Sequence, residues 1–285
     1  MIAGVPMSLR RPKLISENVP VVDGAGVSLY RVFAHQEIDM LDPFLLLDDF
    51  HSRNPEDYMA GFPWHPHRGI ETVTYMIRGE VEHGDSIGNK GVIKSGDVQW
   101  MTAGSGIIHQ EMPKEYEGNM QGFQLWVNLP KKSKMMDPRY RGIEKRQIPE
   151  IGFGEAKVKV IAGELRGVKG PVKDLVVDVE YFDVELEEKA EWVHETKKGY
   201  TAFAYVFDGE AVFSGKEVGK GNLVLLEKGD EVRVGSRHGT RFLFASGKPL
   251  CEPVAWGGPI VMNTNEELEL AFEEYEKGTF IKRKT

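Results

Sequence analysis

Between His65 and Trp126, glycine recurs at Gly69, Gly79, Gly84, Gly88, Gly91, Gly96, Gly104, Gly106, Gly118 and Gly122. A helix of ordinary length does not tolerate that spacing, since each interior glycine costs roughly 1 kcal/mol relative to alanine. The runs between them, such as Ile70 to Ile77 and Asp97 to Thr102, are short and strand-like. Ser95-Gly96-Asp97 reads as a tight turn between two of them. Short strands punctuated by turn residues predict an antiparallel sandwich or barrel.

The flanking sequence continues the pattern. Residues 15 to 34 alternate apolar and polar, with a turn at Gly24 and Gly26. Leu41 to Phe50 reads as a buried strand after Pro43, ending in Asp48 and Asp49, which are turn formers or ligands. Phe123 to Leu129 is one more strand, stopped by Pro130. Residues 131 to 150 are charged and carry Pro138 and Pro149, which marks a domain boundary and a solvated linker. Strands resume at Val158 to Ile161, Leu175 to Leu186, Tyr200 to Phe207, Leu223 to Leu226, Glu231 to Val234 and Arg241 to Ala245. Near the C-terminus, Thr264-Asn265-Glu266-Glu267 has the form of a capping box, and Gly278 supplies a stop, so one short helix is predicted there.

The strand pattern occurs twice. Tyr75-Met76-Ile77-Arg78-Gly79-Glu80 returns as Tyr205-Val206-Phe207-Asp208-Gly209-Glu210, and the turn Gly96-Asp97 as Gly229-Asp230. Two similar β-domains in tandem are the simplest account. We place them at 1–130 and 131–285.

Two residue pairs stand out against this scaffold. His65 and His67 are one residue apart, as are His109 and Glu111. In a strand, residues i and i+2 share a face and lie roughly 6.6 Å apart. Each pair can lean onto one ion. Three imidazoles and a carboxylate suit a transition ion such as iron, copper, nickel, zinc or manganese rather than calcium or magnesium. A single His-x-His is commonly no more than surface histidine; the second pair makes the metal reading the better one. The repeat projects His65 and His67 onto Glu195 and Lys197, and His109 and Glu111 onto Phe242 and Phe244. The metal site is therefore expected in the first domain alone, with His194 a structural histidine.

Composition narrows the remaining classes. The net charge of −8 argues against binding nucleic-acid backbone. No apolar run reaches the roughly 18 residues of a membrane span. The N-terminus does not read as a signal peptide, and the single cysteine, Cys251, suits a reducing compartment, so a cytoplasmic protein is expected.

The string from His65 to Tyr75, the string from Gly96 to Pro113, Leu41 to Asp48 and Leu125 to Leu129 together resemble the pirin family of the cupin superfamily. The resemblance is most specific over residues 30 to 130 and looser to the C-terminus. It implies an all-β bicupin, two tandem antiparallel β-barrels with a short C-terminal helix and metal in the N-terminal barrel only. It puts the ligands on His65, His67, His109 and Glu111. Thr102 stands where cupins usually have proline. In other cupins the fourth ligand falls where Glu71 lies, and Glu71 shares strand parity with His65 and His67, so it stays open beside Glu111. The resemblance further implies one divalent ion, Fe(II) first, with Cu, Ni, Zn or Mn as alternatives. Substrates would be a quercetin-type flavonol and O₂, with Glu111 as catalytic base and an apolar cleft drawn from Phe44, Phe50, Phe62, Trp64, Met101 and Trp126. The alternative it offers is a redox-sensing regulator with a protein partner, for which Lys131 to Arg146 is the candidate surface.

Overall fold

Prolines and glycines decide where these strands end, and the resulting sheets are open. The computed structural model describes residues 7–282. Every pairing between its strands is antiparallel, and by contacts the chain groups into two compact units.

The histidine-bearing unit takes Val19–Ile38, Pro43–Gln147 and the segment from Leu250 onward. Its larger sheet has seven strands, in the order Arg139–Ile143, Val98–Thr102, Ile70–Arg78, Met120–Asn128, Phe44–Ser52, Val27–Phe33, Val19–Asp23. Its smaller sheet has four, in the order Phe62–His67, Ile107–Pro113, Val81–Asp85, Lys90–Ile93. The two face each other: Thr74 of the larger donates to the Glu111 carboxylate of the smaller at 2.8 Å. The expected antiparallel barrel takes the form of two sheets. One edge of each carries proline, Pro20 in Val19–Asp23 and Pro63 with Pro66 in Phe62–His67. Proline cannot donate to a further ladder, so pairing stops there. The result is a jellyroll-like sandwich, two open sheets packed face to face.

The other unit takes the residues up to Asn18, Asp39–Asp42 and Ile148–Pro249. A nine-stranded sheet dominates it, with Thr201–Phe213 and Glu231–Gly247 at the centre. Phe182, Trp192, Phe213, Phe242 and Phe244 fill its core.

The sequence reading places a single cut at 130/131, whereas the contacts assemble each unit from several segments. Residues 131–147 stay with the histidine-bearing unit because Arg139–Ile143 pairs with Val98–Thr102. The expected linker is thus part of a sheet, and Lys134 within it is buried. The C-terminal helix, Asn265–Glu276, starts at the capping box of Thr264 and Glu267. It belongs to the same unit, where Ala271 packs against Ile260, Met262 and Phe280. Among the described residues no helix is long and apolar enough to cross a membrane.

Candidate metal centre

Among the described residues Phe62–His67 is an edge strand that pairs only with Ile107–Pro113. An edge leaves alternate N–H positions unused, and the register shifts between Phe62 and His65, so Pro66 and Pro63, though of opposite parity, are both tolerated. The register sets His65 opposite His109. Along Ile107–Pro113 burial alternates strictly, so Ile107, His109, Glu111 and Pro113 share the inward face. Past His65 the register shifts, and Glu111 comes opposite Phe62. Ligand-capable nitrogens of His65, His67 and His109 all lie within 4.8 Å of one another.

Protonation decides what this cluster can hold. Nδ1 of His65 lies 2.8 Å from the Pro63 carbonyl, and Nδ1 of His67 2.9 Å from the Pro259 carbonyl. A carbonyl only accepts, so each Nδ1 carries the hydrogen and each neutral ring presents a lone pair at Nε2. Those two Nε2 atoms face each other at 3.1 Å. Adding a proton to His67 is opposed chiefly by its burial and then by His65, against the pull of the Pro259 carbonyl, and together these bring its pKa down to about 3. Burial likewise takes His109 well below the ordinary imidazole value, with His67, His65 and His83 adding to the effect. Neither ring nitrogen of His109 has a hydrogen-bond partner. A buried orphan of this kind costs about 1–3 kcal/mol. A transition ion resolves all of this at once. Two nitrogens about 2.1 Å from one ion and at right angles about it lie roughly 3.0 Å apart, close to the observed separation of the two facing lone pairs. The residues present therefore fit a transition-metal ion.

Beside the cluster a cavity of about 580 Å³ is lined by His65, His67, Glu111, Thr74 and Gln124 on its polar side. Phe50, Phe62, Trp64, Trp126 and Trp256 supply aromatic walls. Trp126 meets the His67 ring edge-on at 5.1 Å. Phe44 and Met101, also expected in the cleft, are not among its lining residues; both are buried core, Met101 packing with Leu45, Ile70 and Ile107.

The comparisons with known proteins agree with this architecture. Residues 26–127 match the Pirin family model and residues 181–281 the Pirin C-terminal cupin domain. The chain belongs to the pirin family. A pirin-like protein of Caulobacter vibrioides is 44% identical over 273 residues, covering 95% of this chain and 99% of its own. Pirin-1 of Arabidopsis thaliana is 40% identical over 261 residues, covering 89% of this chain and 88% of its own. The crystal structure of quercetin 2,3-dioxygenase from Acinetobacter baumannii superposes with a TM-score of 0.90 at 34% identity, covering 96% of this chain and 99% of that one.

Within this pirin, Glu111 stands beside the histidines but outside their cluster. It is 7% exposed, and its Oε1 lies 2.8 Å from Thr74 Oγ1, which in turn lies 2.6 Å from Gln124 Oε1. The Thr74 hydroxyl has one hydrogen and can also accept one. With Glu111 ionised, that hydrogen turns to the carboxylate. With Glu111 protonated, the carboxyl donates to Thr74, which passes its own hydrogen on to Gln124. Both protonation states of Glu111 are thereby satisfied.

Glu71 goes elsewhere. Gly69, at φ +78, separates Phe62–His67 from Ile70–Arg78, so the parity shared with His65 and His67 in one continuous strand does not carry across. Thr74 points to the site, and Glu71, three residues back, takes the opposite face of the strand. There it accepts from Thr102 Oγ1 at 2.5 Å and lies 4.0 Å from Arg141. Thr102, where cupins usually have proline, is thus the partner of Glu71. Asp48 and Asp49 are neither turn formers nor ligands. They lie within Phe44–Ser52, where Asp48 takes a two-pronged contact from Arg31 at 2.9 Å and Asp49 pairs with His51 at 2.9 Å.

Sequence reasoning passed over His83. It is buried, its ring 5.5 Å from that of His109 and stacked on Tyr140 at 4.8 Å, with Nε2 3.3 Å from Asp85 and Nδ1 unpartnered. Its signal was available: His83 and Asp85 form another i, i+2 pair, in the strand flanking His109 and Glu111.

At the repeat-related positions of the other unit the chemistry differs. Phe242 and Phe244 are buried in its core, Lys197 pairs with Asp178 at 2.6 Å, and Glu195 is exposed. His194 lies 3.2 Å from Glu180 and stacks on Trp192, as a structural histidine does.

Proposed function

We propose that this protein is a metal-dependent dioxygenase that opens quercetin-type flavonols with O₂. One observation carries the reading: two imidazole lone pairs converge at 3.1 Å on the wall of an aromatic-lined cavity that also holds a buried carboxylate. His65, His67 and His109 hold the ion, and Glu111 completes the donor set as fourth ligand. Fe(II) is the first candidate, and Cu, Ni, Zn and Mn suit the same donors. A bound ion would supply Lewis acidity toward the flavonol 3-hydroxyl.

The remaining steps belong to the chain. Its cavity falls in the size range of drug-like ligands, and the flat walls of Trp126, Trp256 and Phe62 suit a planar aromatic substrate. Glu111 takes the 3-hydroxyl proton, and Thr74 re-orients its own hydrogen toward Gln124 as the carboxyl forms. The flavonolate then reacts with O₂, its heterocycle opens and carbon monoxide leaves. Similarity to the Acinetobacter baumannii quercetin 2,3-dioxygenase supports the assignment.

The test is aerobic bleaching of the quercetin flavonol band by protein loaded with Fe(II), Cu(II) or Ni(II). His67→Ala should abolish it, and Glu111→Gln should slow it by about 10²-fold or more. Bleaching no faster than by the free ion refutes the reading. Stoichiometric metal uptake without turnover would point instead to a redox sensor acting through a protein partner.

A further inference from the structure

His67 owes its orientation to a carbonyl from far along the chain. The Pro259 oxygen accepts its Nδ1 hydrogen at 2.9 Å and so leaves Nε2 free. That carbonyl is held against the loop His67-Arg68-Gly69 by several contacts. Val261 N–H donates to the Arg68 carbonyl at 3.1 Å, and Lys134 Nζ bridges the Gly69 and Val261 carbonyls at 2.9 and 3.0 Å. The Arg68 side chain, 2% exposed, reaches the other way into the C-terminal segment. Its Nη2 donates to the Phe280 carbonyl at 2.9 Å, its Nη1 lies 2.8 Å from the Glu274 carboxylate, and its guanidinium covers the Phe280 ring at 4.2 Å. Glu274 sits in the last turn of the C-terminal helix and also binds Lys282 at 2.7 Å.

We infer that Arg68, Glu274 and Phe280 form a latch that positions the ligand His67, so that ion binding and docking of the C-terminal helix are coupled. The inference rests on the metal reading above. The chain of cause is short. Arg68 follows His67 directly, and Pro259 ends the turn before Ile260–Met262, the short strand that leads into the helix bearing Glu274. When the helix is seated, the Pro259 carbonyl fixes the His67 tautomer with its lone pair toward the cluster. When it is loosened, the carbonyl retreats and the ring can turn. Groups that orient a metal-bound histidine typically change affinity by 10–100-fold when removed. Coupling between two binding events is reciprocal, so an ion at the histidines must in turn stabilise the seated helix.

Cobalt(II) is the probe, because its visible absorption reports ligand geometry and its affinity follows from chelator competition. In the full-length protein, Glu274→Gln and Phe280→Ala should each weaken Co(II) binding about tenfold and alter the visible spectrum. Lys277→Ala serves as control: it removes only the surface pair with Glu273 on the same helix and should leave both readouts unchanged. Hydrogen exchange across Asn265–Glu276 should slow when Co(II) is added to wild type, and slow less in Glu274→Gln. Equal affinity in the folded latch variants and wild type would overturn the latch, as would helix exchange indifferent to Co(II). No Co(II) uptake by wild type would instead remove the metal reading beneath it.

Discussion

Gly69→Ala should be among the most damaging single-methyl additions to this protein, and its cost can be worked from geometry. Gly69 has φ +78, where an L side chain costs roughly 1–2 kcal/mol. A Cβ there would lie 1.9 Å from the Val261 carbonyl oxygen. Restoring ordinary contact needs a displacement of more than about 1 Å, and overpacking of this kind typically costs about 1–3 kcal/mol. The displaced carbonyl would also leave Lys134 Nζ, now 3.0 Å away, so a buried ammonium loses one of its three acceptors for a further ~1–3 kcal/mol. Together these give about 3–8 kcal/mol, in the upper tail for single substitutions. At about 2–4 °C per kcal/mol, the melting transition of this unit should fall by roughly 6–30 °C in scanning calorimetry. Gly88→Ala is the control. Its φ is +93, but its Cβ would meet nothing within 4 Å, so only the conformational cost should appear. A melting point for Gly69→Ala no lower than that of Gly88→Ala would refute the reasoning, because the close approach of Val261 would then carry no energy.

Two further outcomes follow from the site. Burial lifts the Asp48 carboxyl to about 6, against the opposing pull of the Arg31 fork. A carboxyl whose folded pKa exceeds its unfolded value of about 3.9 stabilises the fold in its protonated form, fully below that value, and the contribution fades as pH rises toward 6. Asp48→Asn should therefore flatten the stability–pH profile between about pH 4 and 6 by a term on the order of 3 kcal/mol, and an unaltered profile in urea unfolding would count against it. Thr74→Val removes the hydroxyl that satisfies Glu111 in both protonation states, and should lower flavonol kcat about tenfold with little change in KM. Unchanged turnover in the folded variant would show that Glu111 needs no such partner.

What the sequence disclosed, and what it withheld, divides along local and non-local physics. Strand alternation and glycine turns are local. They located Ile70–Arg78, Val98–Thr102 and the capped helix Asn265–Glu276, and they brought His65, His67 and His109 to one place. Family resemblance supplied the bicupin architecture. Glu71 stayed open beside Glu111 in the sequence because parity counts through a strand and not through a turn, and Gly69 makes the turn. Residues 131–147 read as a linker because charge and proline mark exposed chain. Their membership in a sheet is decided by pairing with Val98–Thr102, which no local pattern encodes. His83 belonged to a visible i, i+2 pair, but its place beside His109 depends on which strands become neighbours. The hardest to foresee was Pro259. It contributes a backbone carbonyl, carries no distinguishing side chain, and reaches His67 only because the C-terminal segment folds back onto the histidine-bearing unit.

X-ray absorption on Fe(II)- or Co(II)-loaded protein, taken with the ion count per chain, bears most directly on the claim that one ion sits among His65, His67 and His109. The expected result is a single ion per chain, nitrogen scatterers at about 2.1 Å and the outer-shell signature of three imidazoles, all lost in a His65→Ala/His67→Ala double variant. An ion count that survives that double substitution, or scattering from oxygen alone, would contradict it.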